Sequence, residues 1–229
     1  GEPTLNLPLI EYICERFVDH VQHGRLARMP SLALVTNGTR FTPQLQHLIE
    51  TYHLHLTFSV DGPDIVHDAN RFFVNRVGSH AVTTRHLQEA RTSGASVSIE
   101  MTFSPQALDQ GLGIGQLVDY SYGELGMAEP HIAPVAAGAD SPVTWAGREP
   151  EAIASYRAAA ERSLQTLVDG NFQGFSLVIG MLRTLISRRV RRFVCPAGTG
   201  TLAIDPLGDV YPCFMFAGQA EQKVDSLDA

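Results

Sequence analysis

Apolar residues recur along this chain with two periods. Between residues 8 and 23, Leu9, Ile10, Ile13, Cys14, Phe17, Val18 and Val21 form one stripe at helical spacing, with Pro8 in the first turn and Gly24 placed to end it. Cys14 belongs to that stripe and reads as a packing residue. Leu32 to Val35 reads as a short strand ending in Thr36-Asn37-Gly38, and Thr42-Pro43 opens a helix to about Tyr52 with Leu45, Leu48 and Ile49 inward. Leu54, Leu56, Phe58 and Val60 then alternate with His55, Thr57 and Ser59, the period of a strand. Asp61-Gly62-Pro63 breaks that strand, and the polar run to Arg71 starts a helix or a tight loop. A helix from about Ser79 to Arg91 closes at Gly94, and Val97 to Phe103 is the next strand. Residues 105 to 127 read as a helical connection interrupted by Gly111, Gly113 and Gly115, before a short strand from His131 to Val135.

Strands separated by helical pattern predict repeated βαβ units, a parallel sheet and the α/β class. Right-handed crossovers curl such units into an open or partial (β/α) barrel. The Ala-, Gly- and Pro-rich segment from Ala136 to Pro150 ends the repeats, and helices follow near 150–168 and 175–192. The second of these carries Arg183, Arg188, Arg189, Arg191 and Arg192, a basic face that is either solvated or a seat for an acidic peptide. Leu202-Ala203-Ile204 and Val210-Tyr211 flank Asp205-Pro206-Leu207-Gly208-Asp209, a hairpin signature. The expected organisation is a partial barrel over 1–140, a helical connection over 141–194, and a further module, opened by the hairpin, over 195–229.

Composition narrows the function classes. The 229 residues suffice for one sizeable core or two small ones, and 44% apolar with 18% charged residues is ordinary for a globular protein. A net charge of −7 argues against nucleic acid or an anionic membrane as the main partner. No apolar run has the ~18 residues of a membrane span, and no signal segment opens the chain. Three cysteines do not make a secreted disulfide framework, so a reducing cytoplasm is the expected compartment. The start on Gly1-Glu2-Pro3, without Met, marks an expected excerpt of a longer protein.

Small ligands of α/β folds collect where strands end and helices begin. Ser59, Asp61 and Arg71 fall on such a rim, and Arg71 can fork onto a carboxylate while Ser59 adds a hydroxyl. In the alternative reading Arg71 caps a helix or pairs with Asp68. His53-x-His55 places two imidazoles on one strand face, but no Asp, Glu or Cys joins them at a recognisable metal spacing.

Four stretches, in order, resemble one family. Gly1-Glu2-Pro3 resembles the tail of the GGEP motif of radical S-adenosylmethionine (SAM) enzymes, and Thr36-Asn37-Gly38-Thr39 resembles their next strand end. Ser59 to Arg71 resembles the S-x-D-G-P…H-D-x-x-R stretch of the subgroup that matures peptides and proteins. Cys195-x12-Gly208-x4-Cys213 resembles the opening of the SPASM extension, which carries auxiliary iron–sulfur clusters. The resemblance implies a partial barrel of the radical SAM type followed by helices and a SPASM hairpin. It implies SAM-binding roles for Gly1, Glu2, Pro3, Asn37, Ser59, Asp61 and Arg71, with Glu2 toward the amine and Ser59 and Arg71 toward the carboxylate. The strand from Ser98 to Phe103 would flank the adenine, and Cys195 and Cys213 would ligate an auxiliary 4Fe–4S cluster.

Two departures matter. The family's Cys-x3-Cys-x2-Cys, which holds the SAM-cleaving 4Fe–4S cluster, precedes GGEP and is not in this sequence, and neither are the later SPASM cysteines. This polypeptide by itself is therefore expected neither to cleave SAM nor to complete a four-cysteine cluster. The implied activity of the longer protein is formation of a 5′-deoxyadenosyl radical that modifies a ribosomally made peptide, by a crosslink or thioether, with ferredoxin or flavodoxin as electron donor. Sulfatase-type maturases of the family carry Asp after the cysteine matching Cys213, where this chain has Phe214. A sulfatase-type maturase, a non-catalytic barrel that recognises a leader peptide, and an iron-free nucleotide-binding domain are the alternatives. No catalytic residue is assigned.

Overall fold

The computed structural model describes residues 1–188 and 195–227, which divide into a unit from Gly1 to Leu182 and a second from Arg183 onward. The first unit is built on a sheet of β1 (Ala33–Thr36), β2 (His55–Ser59), β3 (Val97–Phe103) and β4 (His131–Pro134). These strands lie side by side in chain order, and every pairing is parallel. Each return to the sheet crosses over through helix: α1 (Leu7–Gln22) precedes β1, α2 (Pro43–Tyr52) joins β1 to β2, and α3 (Asp64–Asn70) and α4 (His80–Thr92) join β2 to β3. Between β3 and β4 run α5 (Pro105–Asp109) and α6 (Ile114–Gly123), and α7 (Glu149–Val168) and α8 (Ser176–Ser187) follow.

Local chemistry explains the boundaries. Helix α1 starts where the Asn6 side chain accepts from the Leu9 amide, and α2 where the Thr42 hydroxyl accepts from the Leu45 amide. The helical connection over 105–127 is interrupted where its glycines place the break: Gly111 takes a positive φ of 74° and the chain restarts at Gly113, giving two helices. The polar run after Pro63 is a helix, α3, with Asp64 in its first turn. Helix α8 ends at Ser187; Arg189, Arg191 and Arg192 of the expected basic face lie outside the described residues.

Alternation along the strands separates two faces. Leu56, Phe58, Ile99, Met101 and Phe103 are buried under the helices, each side chain contributing roughly 1.5–3 kcal/mol. His55, Thr57, Ser59, Ser98, Glu100 and Thr102 stand on the opposite face and are only half-buried. Trp145 packs on Phe103 and donates from Nε1 to its carbonyl at 3.2 Å, tying the loop after β4 back to the sheet. Cys14 is buried in the core, as its stripe predicts.

The second unit contains the expected hairpin, β5 (Ala203–Ile204) against β6 (Asp209–Tyr211), and a third antiparallel strand, β7 (Asp225–Ser226). Asp205 shapes the turn by accepting from the Leu207 and Asp209 amides at 2.9 and 3.0 Å. Among the described residues no helix is long and apolar enough to cross a membrane.

Candidate functional site

The carboxyl ends of β1 and β2 lie side by side, Thr36 registered with Phe58, and β3 runs past Ser59, which is registered with Glu100, so that Thr102 near its end reaches Asp61. Glu2 closes the rim at β1. Its Oε1 accepts from the Thr4 amide at 3.0 Å, the Thr4 hydroxyl at 2.7 Å and the Thr36 hydroxyl at 2.8 Å. Its Oε2 accepts from the Asn37 amide at 2.7 Å. Burial raises the Glu2 carboxyl pKa, but the bonds from Asn37, Thr4 and Thr36 outweigh it and hold the group below the ordinary carboxylate value. Gly1 is exposed, and Pro3 starts the short 3₁₀ turn to Leu5 that lets Glu2 fold back. Asn37 supports the site through its backbone; its side chain instead accepts from the Thr39 amide and hydroxyl.

Asp61 and Arg71 close the rim at β2. Arg71 donates from Nε to Asp61 Oδ2 at 2.6 Å and from Nη2 to Oδ1 at 3.1 Å, and the Thr102 amide of β3 reaches the same Oδ1 at 2.9 Å. The fork assigned from the sequence to a ligand carboxylate is thus occupied within the protein. The reason is burial: Asp61's side chain is 6% exposed and needs a counter-charge, whereas Arg71 is 29% exposed and keeps the outer edge of its guanidinium open. Asp68, the alternative partner, instead accepts from the His80 amide at 2.8 Å. Ser59 ends β2, and its hydroxyl has no hydrogen-bond partner among the described residues.

His67, to which the sequence analysis assigned no role, organises this corner. It is fully buried; its Nδ1 accepts from the Asp61 amide at 3.3 Å and its Nε2 lies 3.0 Å from Ser79 Oγ. Ser79 Oγ in turn donates to the Arg71 carbonyl at 3.0 Å, so the bonds require a neutral imidazole protonated at Nε2. Burial first, opposed by Asp61 and reinforced by Arg71 and His80, lowers its pKa to about 4. The signal was the HD pair within His67-Asp68-x-x-Arg71, whose spacing puts His67 and Arg71 one helical turn apart.

A cavity of about 240 Å³ opens here, lined by Asp61, Asn70, Arg71, Thr102, Ser104 and Val135 among others. A larger one of about 400 Å³ lies at the amino ends of the strands, beside Leu32, His55 and Ser96. There His55 has both ring nitrogens engaged, by Ser96 Oγ and Ser98 Oγ at 2.8 Å each. His53 takes a left-handed φ of 54° at the end of α2. Among the described residues no group of three potential metal ligands is assembled.

In the second unit Cys195 is exposed and Cys213 half-buried, and both are free thiols. The Gly198 amide donates to the Pro212 carbonyl at 3.0 Å, which holds the segment after Cys195 beside the residue preceding Cys213.

No protein-family model matches the sequence, and no curated protein does. Solved structures do: native anSMEcpe with bound AdoMet superposes with a TM-score of 0.78 at 16% identity, covering 99% of this chain and 61% of that one. That neighbour is an anaerobic sulfatase-maturating enzyme, a radical SAM/SPASM enzyme. The chain shares with it a partial α/β fold of the radical SAM type with an antiparallel hairpin extension. The same enzyme with AdoMet and the Kp18Cys peptide gives 0.74 at 15% identity, covering 99% of this chain and 62% of that one. Streptococcus suis SuiB gives 0.51 at 14% identity, with 84% and 46% coverage. The chain therefore spans less than two thirds of each of these chains.

Proposed function

We propose that the protein to which this chain belongs is a radical SAM maturase that modifies a ribosomally made peptide. The observation that carries this reading is the rim itself: a clasped carboxylate, Glu2, and a half-open guanidinium, Arg71, face one strand-end edge of a radical SAM/SPASM fold. The residues fit SAM chemically. Glu2 Oε2 accepts only one bond from the described residues and keeps a lone pair for an ammonium, and Arg71 Nη1 remains for a carboxylate. The unpartnered Ser59 hydroxyl lies at the next strand end. Asp61 acts on Arg71 rather than on the ligand, fixing the guanidinium so that its outer edge is pre-oriented.

When bound, SAM and its 4Fe–4S cluster, reduced by a donor such as ferredoxin or flavodoxin, supply a 5′-deoxyadenosyl radical. The residues of this chain bind and orient. Cys195 and Cys213 supply two thiols toward an auxiliary cluster, whose remaining ligands must come from elsewhere. Phe214 in place of the maturase Asp favours a crosslink- or thioether-forming enzyme over a formylglycine-forming one.

The test is anaerobic reconstitution of the full-length protein, followed by SAM calorimetry and detection of 5′-deoxyadenosine under dithionite. Binding and turnover are expected in wild type, with both lost in Glu2→Ala. A reconstituted protein that binds no SAM overturns the reading. One that binds peptide but forms no 5′-deoxyadenosine supports the non-catalytic barrel instead.

A further inference from the structure

Asp61 and Arg71 both lie just past the end of a regular element, since β2 ends at Ser59 and α3 at Asn70. The Asp61 amide finds no backbone acceptor in the sheet, and the Arg71 carbonyl belongs to no helical turn. Backbone groups left over at element ends must be satisfied by other partners.

One side chain serves both. His67 Nδ1 accepts from the Asp61 amide at 3.3 Å, and Nε2 donates to Ser79 Oγ at 3.0 Å. Ser79 passes the bond on, its hydroxyl donating to the Arg71 carbonyl at 3.0 Å and its amide to the same oxygen at 3.2 Å. The His67 carbonyl takes the Arg71 amide at 2.8 Å, so Arg71 is held through His67 at both its backbone groups. The imidazole itself is fully buried. His80 packs edge-on against it with ring centroids 5.5 Å apart, and His80 Nε2 lies 2.6 Å from the buried Tyr120 hydroxyl.

Packing alone does not call for this arrangement. An apolar ring fills a dry site as well as an imidazole does, whereas two bonds in fixed directions add orientation. Ser79 makes no side-chain capping bond to α4, so its hydroxyl serves Arg71 rather than the helix. What the two bonds orient is the Asp61–Arg71 pair, and a guanidinium that grips carboxylates by parallel bonds tolerates only about 0.5 Å of displacement.

We infer that His67 is a positioning residue for SAM: by bridging the Asp61 amide and, through Ser79, the Arg71 carbonyl, it sets the direction in which Arg71 presents its free edge to the SAM carboxylate. This rests on the radical SAM reading above and adds to it a residue that touches no ligand.

The experiment uses the full-length reconstituted protein and two ligands, SAM and decarboxylated SAM, which keeps the ammonium and lacks the carboxylate. Affinities are measured by anaerobic calorimetry below the unfolding transition of every variant. Wild type is expected to prefer SAM at least tenfold. His67→Phe keeps a buried ring without either bond; it should weaken SAM at least tenfold and the decarboxylated analogue no more than twofold. His67→Gln, whose amide can still donate to Ser79, should stay within threefold of wild type for both ligands. Equal losses for the two ligands in His67→Phe would mark a general collapse of the site and overturn the proposal. Full SAM affinity in His67→Phe, or a Gln variant as weak as the Phe variant, overturns it too. Should His67→Phe not fold, Ser79→Ala must weaken SAM at least threefold with the analogue unchanged, and equal effects on both ligands overturn the proposal. Wild type that binds SAM beside variants without this selectivity fails the present inference alone. Wild type that binds neither ligand fails the maturase reading as well.

Discussion

Arg71 grips Asp61 through two parallel bonds, 2.6 and 3.1 Å long, and Asp61 simultaneously accepts the Thr102 amide at 2.9 Å. One carboxylate thereby ties the end of α3 to the ends of β2 and β3. Asp61→Asn loses the charge of a nearly buried acceptor, and Arg71→Lys loses the parallel geometry. Each is expected to destabilise the fold by about 1–3 kcal/mol, with the double variant costing less than the sum. Urea unfolding of the four proteins measures this. Additive costs would show the two groups to be energetically independent.

On the proposed radical SAM reading, Arg71→Lys in the full-length protein should also weaken SAM binding by about 1–3 kcal/mol, because displacement of the guanidinium moves its free edge. Calorimetry decides, and unchanged affinity removes Arg71 from the proposed SAM site.

His67 makes stability depend on pH. Its pKa is lowered from the ordinary 6.5 to about 4 in the folded chain, so between those values the unfolded chain binds a proton that the folded one does not. Stability is therefore complete above about pH 6.5 and declines as pH falls toward 4, by on the order of 3 kcal/mol in all. Glu2, also lowered, adds a second loss that sets in as pH falls through the ordinary carboxylate range. Chemical unfolding from pH 7.5 to 4 should show the first slope, and His67→Gln should flatten it. A slope that survives in the variant would belong to other groups.

Gly38 and Gly24 share a positive φ, 68° and 69°, but differ in surroundings. A Cβ at Gly38 would lie 2.7 Å from the Phe58 ring and 2.8 Å from the Thr83 methyl, while one at Gly24 meets nothing within 4 Å. Gly24→Ala should cost about 1 kcal/mol from backbone strain alone. Gly38→Ala adds core overpacking and should cost about 2–4 kcal/mol. Equal melting temperatures for the two variants would contradict the packing drawn around Phe58.

Cys213→Ala, reconstituted anaerobically in the full-length protein, should contain less iron than wild type by one auxiliary cluster's worth. An unchanged iron content removes Cys213 from the ligand set.

What the chain reveals by itself is what depends on neighbours in sequence. Alternation from Leu54 to Val60 and from Val97 to Phe103 locates strands and their buried faces, and the stripe from Leu9 to Val21 locates α1, because side-chain direction follows backbone period. The Asp205–Asp209 turn is equally local, since the Asp205 side chain reaches amides of its own turn. Ser59, Asp61 and Arg71 were legible as polar types beyond a strand end, and Glu2 and Asn37 only through the family resemblance. Their partners were not. That Arg71 turns to Asp61 rather than outward or to Asp68, that Thr102 completes Asp61, and that Glu100 stands between Ser59 and His131 all follow from register. Register is set by packing across the sheet, over separations such as the 41 residues between Asp61 and Thr102, and no local period encodes it. The third strand, β7, escaped the sequence for the same reason: two residues carry no period, and only pairing with Asp209 and Val210 makes them a strand.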